Sequence, residues 1–77
     1  MSEDIGYVYV RVADAVEADI RAGTLPVGAR LPNERDLGSQ YGVAHGTARR
    51  AVQELRDRGL VVTPPNKGTF VTKPPKA

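Results

Sequence analysis

The sequence predicts one small α+β domain, mainly helical with a small β-hairpin: three helices followed by two strands. Three observations predict it. Residues 7–22, a short segment after Asn33 and residues 44–58 carry apolar side chains at helical spacing. Residues 60–63 and 69–72 are short β-branched or aromatic runs flanking a loop of Pro, Asn, Lys and Gly. Only a few residues, Gly42 among them, separate the second and third helices, which is the spacing of a helix-turn-helix unit.

The first helix, 7–22, repeats Val8, Val12, Val16 and Ile20 at intervals of four, with Ala13 and Ala15 alongside. Arg11, Asp14, Glu17 and Arg21 take the other side, and Gly23 stands at the position of a glycine C-cap. Thr24 to Gly28 is turn material, and Ala29-Arg30-Leu31 reads as a very short strand before Pro32. Asn33 is a good N-cap for the second helix, with Glu34 and Asp36 in its positive first turn. Leu37 and Tyr41 lie one turn apart and point inward, and Gly42 ends the helix. The third helix, 44–58, has an apolar set of Ala48, Ala51, Val52 and Leu55, and Gly59 stops it. The hairpin loop, 64–68, is too long for a two-residue turn, so its tip projects. An isolated hairpin is marginal in water, so this one docks on the helices, with Val61, Phe70 and Val71 as its core residues. The domain is expected over 1–72, with 73–77 (Lys-Pro-Pro-Lys-Ala) as a flexible tail or the start of a linker.

The 77 residues include no cysteine and one histidine, His45, which excludes disulfides and thiolate metal sites and argues against a histidine-based one, so no metal is expected. No apolar run approaches the ~20 residues of a membrane span, and a cytoplasmic protein without membrane partners is expected. Net charge is only +2, but its distribution is uneven. Arg49, Arg50, Arg56, Arg58, Lys67, Lys73 and Lys76 crowd the second half, while Glu3, Asp4, Asp14, Glu17, Asp19, Glu34 and Asp36 lie in the first. One basic end on a near-neutral domain suits a phosphate-facing surface, or else a solvated helix face.

The third helix separates these readings. At 3.6 residues per turn His45, Arg49, Gln53 and Arg56 share one side, flanked by Gly46 and Arg50, opposite Ala48, Ala51 and Leu55. Arginine can fork onto guanine O6/N7 and glutamine onto adenine. Little acid lies on that face to pair with, which favours base readout over a solvated ion-pair face. No nucleophile with an adjacent base is present, so no enzyme activity and no cofactor are expected.

The run AGTLPVGARLPNERDLGSQYGVAHGTARRAVQELRDRGLVVTPPNKGTFV, residues 22–71, resembles the winged helix-turn-helix domain of the GntR family of bacterial transcription regulators. The resemblance is carried by Ile20, Gly23, Leu25, Gly28, Leu31-Pro32, Glu34-Arg35, Leu37, Gly42-Val43, Thr47, Arg49, Ala51, Leu55, Gly59-Leu60 and Gly68-Thr69-Phe70-Val71. It implies a sequence-specific double-stranded DNA-binding regulator, a repressor by expectation, whose third helix enters the major groove while the wing, 64–68, meets the minor groove. By the resemblance Arg35 and Arg49 contact DNA and Thr47 lies within reach of phosphate. The wing-tip glycine of the family aligns with Asn66, beside Lys67 and Gly68. With the helix-face residues His45, Gly46, Arg50 and Gln53, these make the expected DNA-binding set. Plainer roles stand beside them: Arg35 pairing with Glu34 or Asp36, Thr47 bonding back to a helix carbonyl, and Lys67 as a solubilising loop charge.

The sequence also departs from the family. Ala44-His45 replaces Ser/Thr-Arg at the start of the third helix, and Gly46 follows, so the cap is weak and the first turn loose. Asn66 stands in place of glycine but tolerates positive φ. The resemblance implies a homodimer on operator DNA through a C-terminal domain outside these 77 residues, with a stand-alone regulator as the other reading. A protein-interaction winged-helix module without strong DNA affinity is the alternative, and an enzyme fusion a more distant one.

Overall fold

The computed structural model describes residues 3–74, with side chains over 7–74. Helix α1 runs Glu3–Ala22, α2 Glu34–Tyr41 and α3 His45–Asp57; β1 is Val61–Val62 and β2 Phe70–Val71. The order is the expected one. Helix α1 starts four residues earlier than its apolar repeat suggests. The tail expected over 73–77 lies partly outside the described residues.

Helix ends follow their caps. Gly23 takes φ +85°, and Leu25 N–H returns to the Asp19 carbonyl, closing α1. Asn33 accepts from the Asp36 amide at 2.8 Å at the start of α2. Ala44 provides no side-chain cap to α3, as the sequence suggests, and no acid lies in that first turn. The turn between α2 and α3 is tight: Val43 N–H donates to the Gly38 carbonyl at 2.9 Å. A Cβ at position 38 would come within 2.9 Å of the Val43 carbonyl oxygen, so residue 38, which no sequence signal singled out, must stay small for the two helices to meet.

The core is built on α3. Ala48, Ala51 and Leu55 are fully buried and Val52 nearly so, together with Val12, Ala13, Val16 and Ile20 of α1 and Leu37 of α2. Tyr41 is half-buried against this cluster, in agreement with its inward assignment.

The hairpin pairs antiparallel, Val61 with Val71 and Val62 with Phe70. Its docking set differs from the expected one. Leu60, Val61 and Val71 are buried, whereas Phe70 is only half-buried and lies outside the core. Alternation explains the correction: with Val71 turned inward, Phe70 and its partner Val62 face the other way, and Val62 is 48% exposed. The expected strand at 29–31 is a single antiparallel bridge, Arg30 to Phe70. Its flanking bonds, Leu31 N–H to the Thr69 carbonyl and Val71 N–H to the Ala29 carbonyl, both 2.8 Å, make β2 the central strand of a small three-part sheet.

Leu55→Ala is expected to cost about 2–5 kcal/mol, the range for emptying a fully buried leucine site. A urea titration followed by far-UV circular dichroism measures it, and a loss under 1 kcal/mol would show that α3 is not the centre of the core.

Candidate nucleic-acid interface

Helix α3 turns its polar face to solvent because the alanine-leucine face is consumed by the core. His45, Gly46, Arg49, Arg50 and Gln53 are exposed, and Thr47 is half-buried. The structure nonetheless divides this set. His45 and Arg49 converge on α2: Glu34 Oε1 lies 3.3 Å from His45 Nε2 and accepts from Arg49 Nε at 3.2 Å. The expectation that this face finds little acid is thus corrected; the carboxylate comes from the neighbouring helix, eleven and fifteen positions away in sequence. The Arg49 bond uses Nε and does not require its two terminal Nη nitrogens.

Arg50 lies on the opposite flank, its guanidinium 4.3 Å from the centroid of the Tyr9 ring of α1. Gln53 is engaged along the helix, donating to Asp57 at 3.0 Å and accepting from Arg56 at 2.8 Å. Arg56 also donates to Thr63 Oγ1 at 2.8 Å, and Thr63 lies 3.0 Å from Thr69 Oγ1, so the polar face is tied to both arms of the wing.

Arg35 is exposed and forms no ion pair with Glu34 or Asp36. An open cleft of about 710 Å³ brings Arg30, Arg35, His45 and Gly68 together between α2, the start of α3 and the base of the wing. Asn66 and Lys67 stand exposed at the wing tip, outside the cleft lining. Asn66 has φ +61°, the one non-glycine residue with positive φ among those described, so asparagine holds the turn in the conformation expected of glycine.

The basic half of the sequence is also divided in space. Arg58, at the C-cap of α3, turns to α1 and donates to Glu54 at 2.9 Å and to Glu17 at 2.8 Å, with Asp14 at 2.8 Å. The bond to Glu54, with those to Asp14 and Glu17, raises its pKa still further against the opposing cost of burial. Bonds from Arg21 and then Arg58 hold the Glu17 carboxyl below the ordinary carboxylate value. Arg58 therefore belongs to the α1 side and is spent within the protein. Arg30 and Glu34 lie beside the interface residues but outside the set expected from the sequence. The sequence suggests Glu34 for the helix dipole or for a pair with Arg35, not for His45 and Arg49, and it places Arg30 only in the middle of a short strand. Among the described residues no cluster of His, Asp or Glu could hold a metal, and no helix is long and apolar enough to cross a membrane.

A three-helix unit with a wing, presenting an arginine-histidine face, is the arrangement on which relatives can be compared. A family model described as bacterial regulatory proteins, gntR family, matches residues 8–71. The chain belongs to the GntR family. It is 48% identical over 54 residues to the HTH-type transcriptional regulator Rv1152 of Mycobacterium tuberculosis, covering 70% of this chain and 45% of that protein. It is 39% identical over 67 residues to the histidine utilization repressor of Pseudomonas aeruginosa, covering 87% of this chain and 27% of that protein. The chain therefore spans less than half the length of either relative. The crystal structure of the AraR DNA-binding domain in complex with operator ORX1 superposes with a TM-score of 0.77 and 31% identity, covering 83% of this chain and 77% of that one. The fold is accordingly the winged helix-turn-helix of GntR DNA-binding domains.

Gly46 lies within α3, and a Cβ there would meet nothing within 4 Å. Gly46→Ala is expected to stabilise the domain by about 1 kcal/mol, the helix-propensity difference, read as a rise in the thermal midpoint. A lower midpoint would mean that the first turn of α3 needs its glycine to fold.

Proposed function

We propose that this GntR-family domain binds double-stranded operator DNA, with α3 in the major groove and the wing at the minor groove, and that the protein acts as a transcriptional repressor in the cytoplasm. The observation that carries this reading is the exposed His45–Arg49 pair at the N-terminal end of α3, held from behind by Glu34. Recognition helices present their N-terminal residues to base edges. Glu34 fixes Arg49 through Nε, and the terminal nitrogens can then fork onto guanine O6 and N7. His45 can donate to or accept from a base edge. Gln53 must exchange its bonds to Arg56 and Asp57 for those to an adenine, so its contribution carries an internal cost.

Thr47, Arg35 and the amides of the uncapped first turn face phosphate. Helix α2 spends its N-terminus on Asn33 and two acids, whereas α3 leaves its own open, and Gly46 keeps the backbone there accessible. Arg50 reaches phosphate from the flank after leaving Tyr9, and Asn66, Lys67 and Gly68 place the wing at the minor groove. The complex of the related AraR domain with an operator, and the name of the Pseudomonas relative, support the DNA and repressor parts. A homodimer, built through a segment beyond these residues, is part of the proposal, since one module this small binds specific DNA only modestly.

A binding-site selection from random duplex DNA, followed by low-salt gel shift, tests the proposal. The chain is expected to retard the selected duplex, Arg49→Ala to remove the band, and log K to fall with log salt at a slope of about −4 to −5 if about five cations meet phosphate. No retarded band with any fragment, or a flat salt response, would overturn it in favour of a protein-interaction module.

A further inference from the structure

The cleft between the wing and the helices contains a cation that neither the family pattern nor the helix faces explain. Arg30 is exposed, and among the described residues its side chain has no hydrogen-bonded or ion-paired partner. Its root and its resting place are nonetheless defined. Its backbone is bridged to Phe70 in the small sheet, which fixes its Cα at the root of the wing. Its guanidinium lies against the backbone of Gly68: a Cβ built there would be 2.8 Å from Arg30 Nε and 3.2 Å from Nη2. Gly68 itself has φ +97°, so position 68 both needs glycine for its backbone and offers the guanidinium a bare surface to lie on. The same cleft is lined by Arg35 of α2 and His45 of α3. Three elements thus each send one basic residue type to a single opening, where Glu34 and Asp36 are the acids and Glu34 is already engaged by Arg49 and His45.

The location determines what Arg30 meets. A recognition helix in the major groove and a wing in the adjacent minor groove are separated by one sugar-phosphate strand. A residue in the cleft between them faces that strand and not the base edges. We infer that Arg30 is a phosphate-binding residue that grips the backbone strand between the two grooves, with Gly68 as its seat; this rests on the proposed DNA-binding function. Its contribution is sequence-independent. It adds one backbone contact where the wing and α3 straddle the strand and leaves the choice of bases to Arg49 and His45.

The test compares Arg30→Ala, Arg30→Lys and Arg49→Ala on two duplexes: one selected from a random pool by the unaltered chain, and a scrambled duplex of equal composition. Arg30→Ala is expected to weaken binding to both duplexes by a similar factor, about 3- to 10-fold near physiological salt, and to flatten the log K–log salt slope by about 1. Arg30→Lys is expected to restore the slope. Arg49→Ala is expected to weaken the selected duplex far more than the scrambled one. A thermal midpoint of Arg30→Ala equal to that of the unaltered chain separates a lost phosphate contact from a damaged wing. If Arg49→Ala loses the selected duplex while Arg30→Ala keeps both affinity and slope, the Arg30 inference is wrong and the DNA-binding reading stands. If the unaltered chain binds neither duplex, the DNA-binding reading itself fails.

Discussion

The structure depends on the close packing of one helix. Helix α3 lies against α1 and α2 through Ala48, Ala51 and Leu55, which are fully buried, and small side chains at 48 and 51 let three backbones approach. This contact decides whether a poorly started helix can still be a fixed platform. The missing cap at Ala44 costs roughly 0.5–2 kcal/mol and glycine at 46 roughly 1 kcal/mol. Burial of a single leucine or valine contributes roughly 1.5–3 kcal/mol, and α3 buries both Val52 and Leu55. Tertiary packing therefore exceeds the local defects. It also fixes which face of the helix remains outside, since turning α3 to bury His45 or Arg49 would expose this seam.

The electrostatics follow from the same placement. One end of α3 meets Glu34 of α2 through His45 and Arg49; the other meets Asp14 and Glu17 of α1 through Arg58. Arg58 is three-quarters buried and surrounded by acids, so it locks α3 to α1 and has no charge to offer a partner. The pair at the other end is more than half exposed and shares one carboxylate, which orients both side chains from one side and leaves the Arg49 terminal nitrogens open. A basic composition in the second half of the chain thus resolves into a structural cation on one side and presented cations on the other.

The fold was largely legible in the sequence because each boundary carries its own chemistry. Asn33 and Gly23 state where helices begin and end through bonds within a few residues, and the four-residue repeat of Val12, Val16 and Ile20 is a property of one helix alone. Phe70 leaves the core place expected beside Val71 because adjacent strand residues face opposite sides, and pairing with β1 turns Val71 inward. The site was legible only in part. His45 and Arg49 could be placed on one face by helical spacing, but their shared carboxylate comes from another helix, and no periodicity within α3 reveals it. Arg30 carries no such local signal either: its position beside Gly68 exists only once a bridge to β2 brings residues 30 and 68 together. Gly38 likewise shows its purpose only against the Val43 carbonyl.

The central claim is that α3 presents its His45–Gln53 face to DNA while its Arg58 end serves the protein interior. Amide chemical-shift mapping of the isotope-labelled chain, titrated with a duplex selected from a random pool, tests this most directly. The largest shifts are expected at Arg35, at 45–53 and at 66–68, with Asp14, Glu17 and Arg58 unmoved. Largest shifts along Asp14, Glu17 and Arg58, with 45–53 silent, would contradict it.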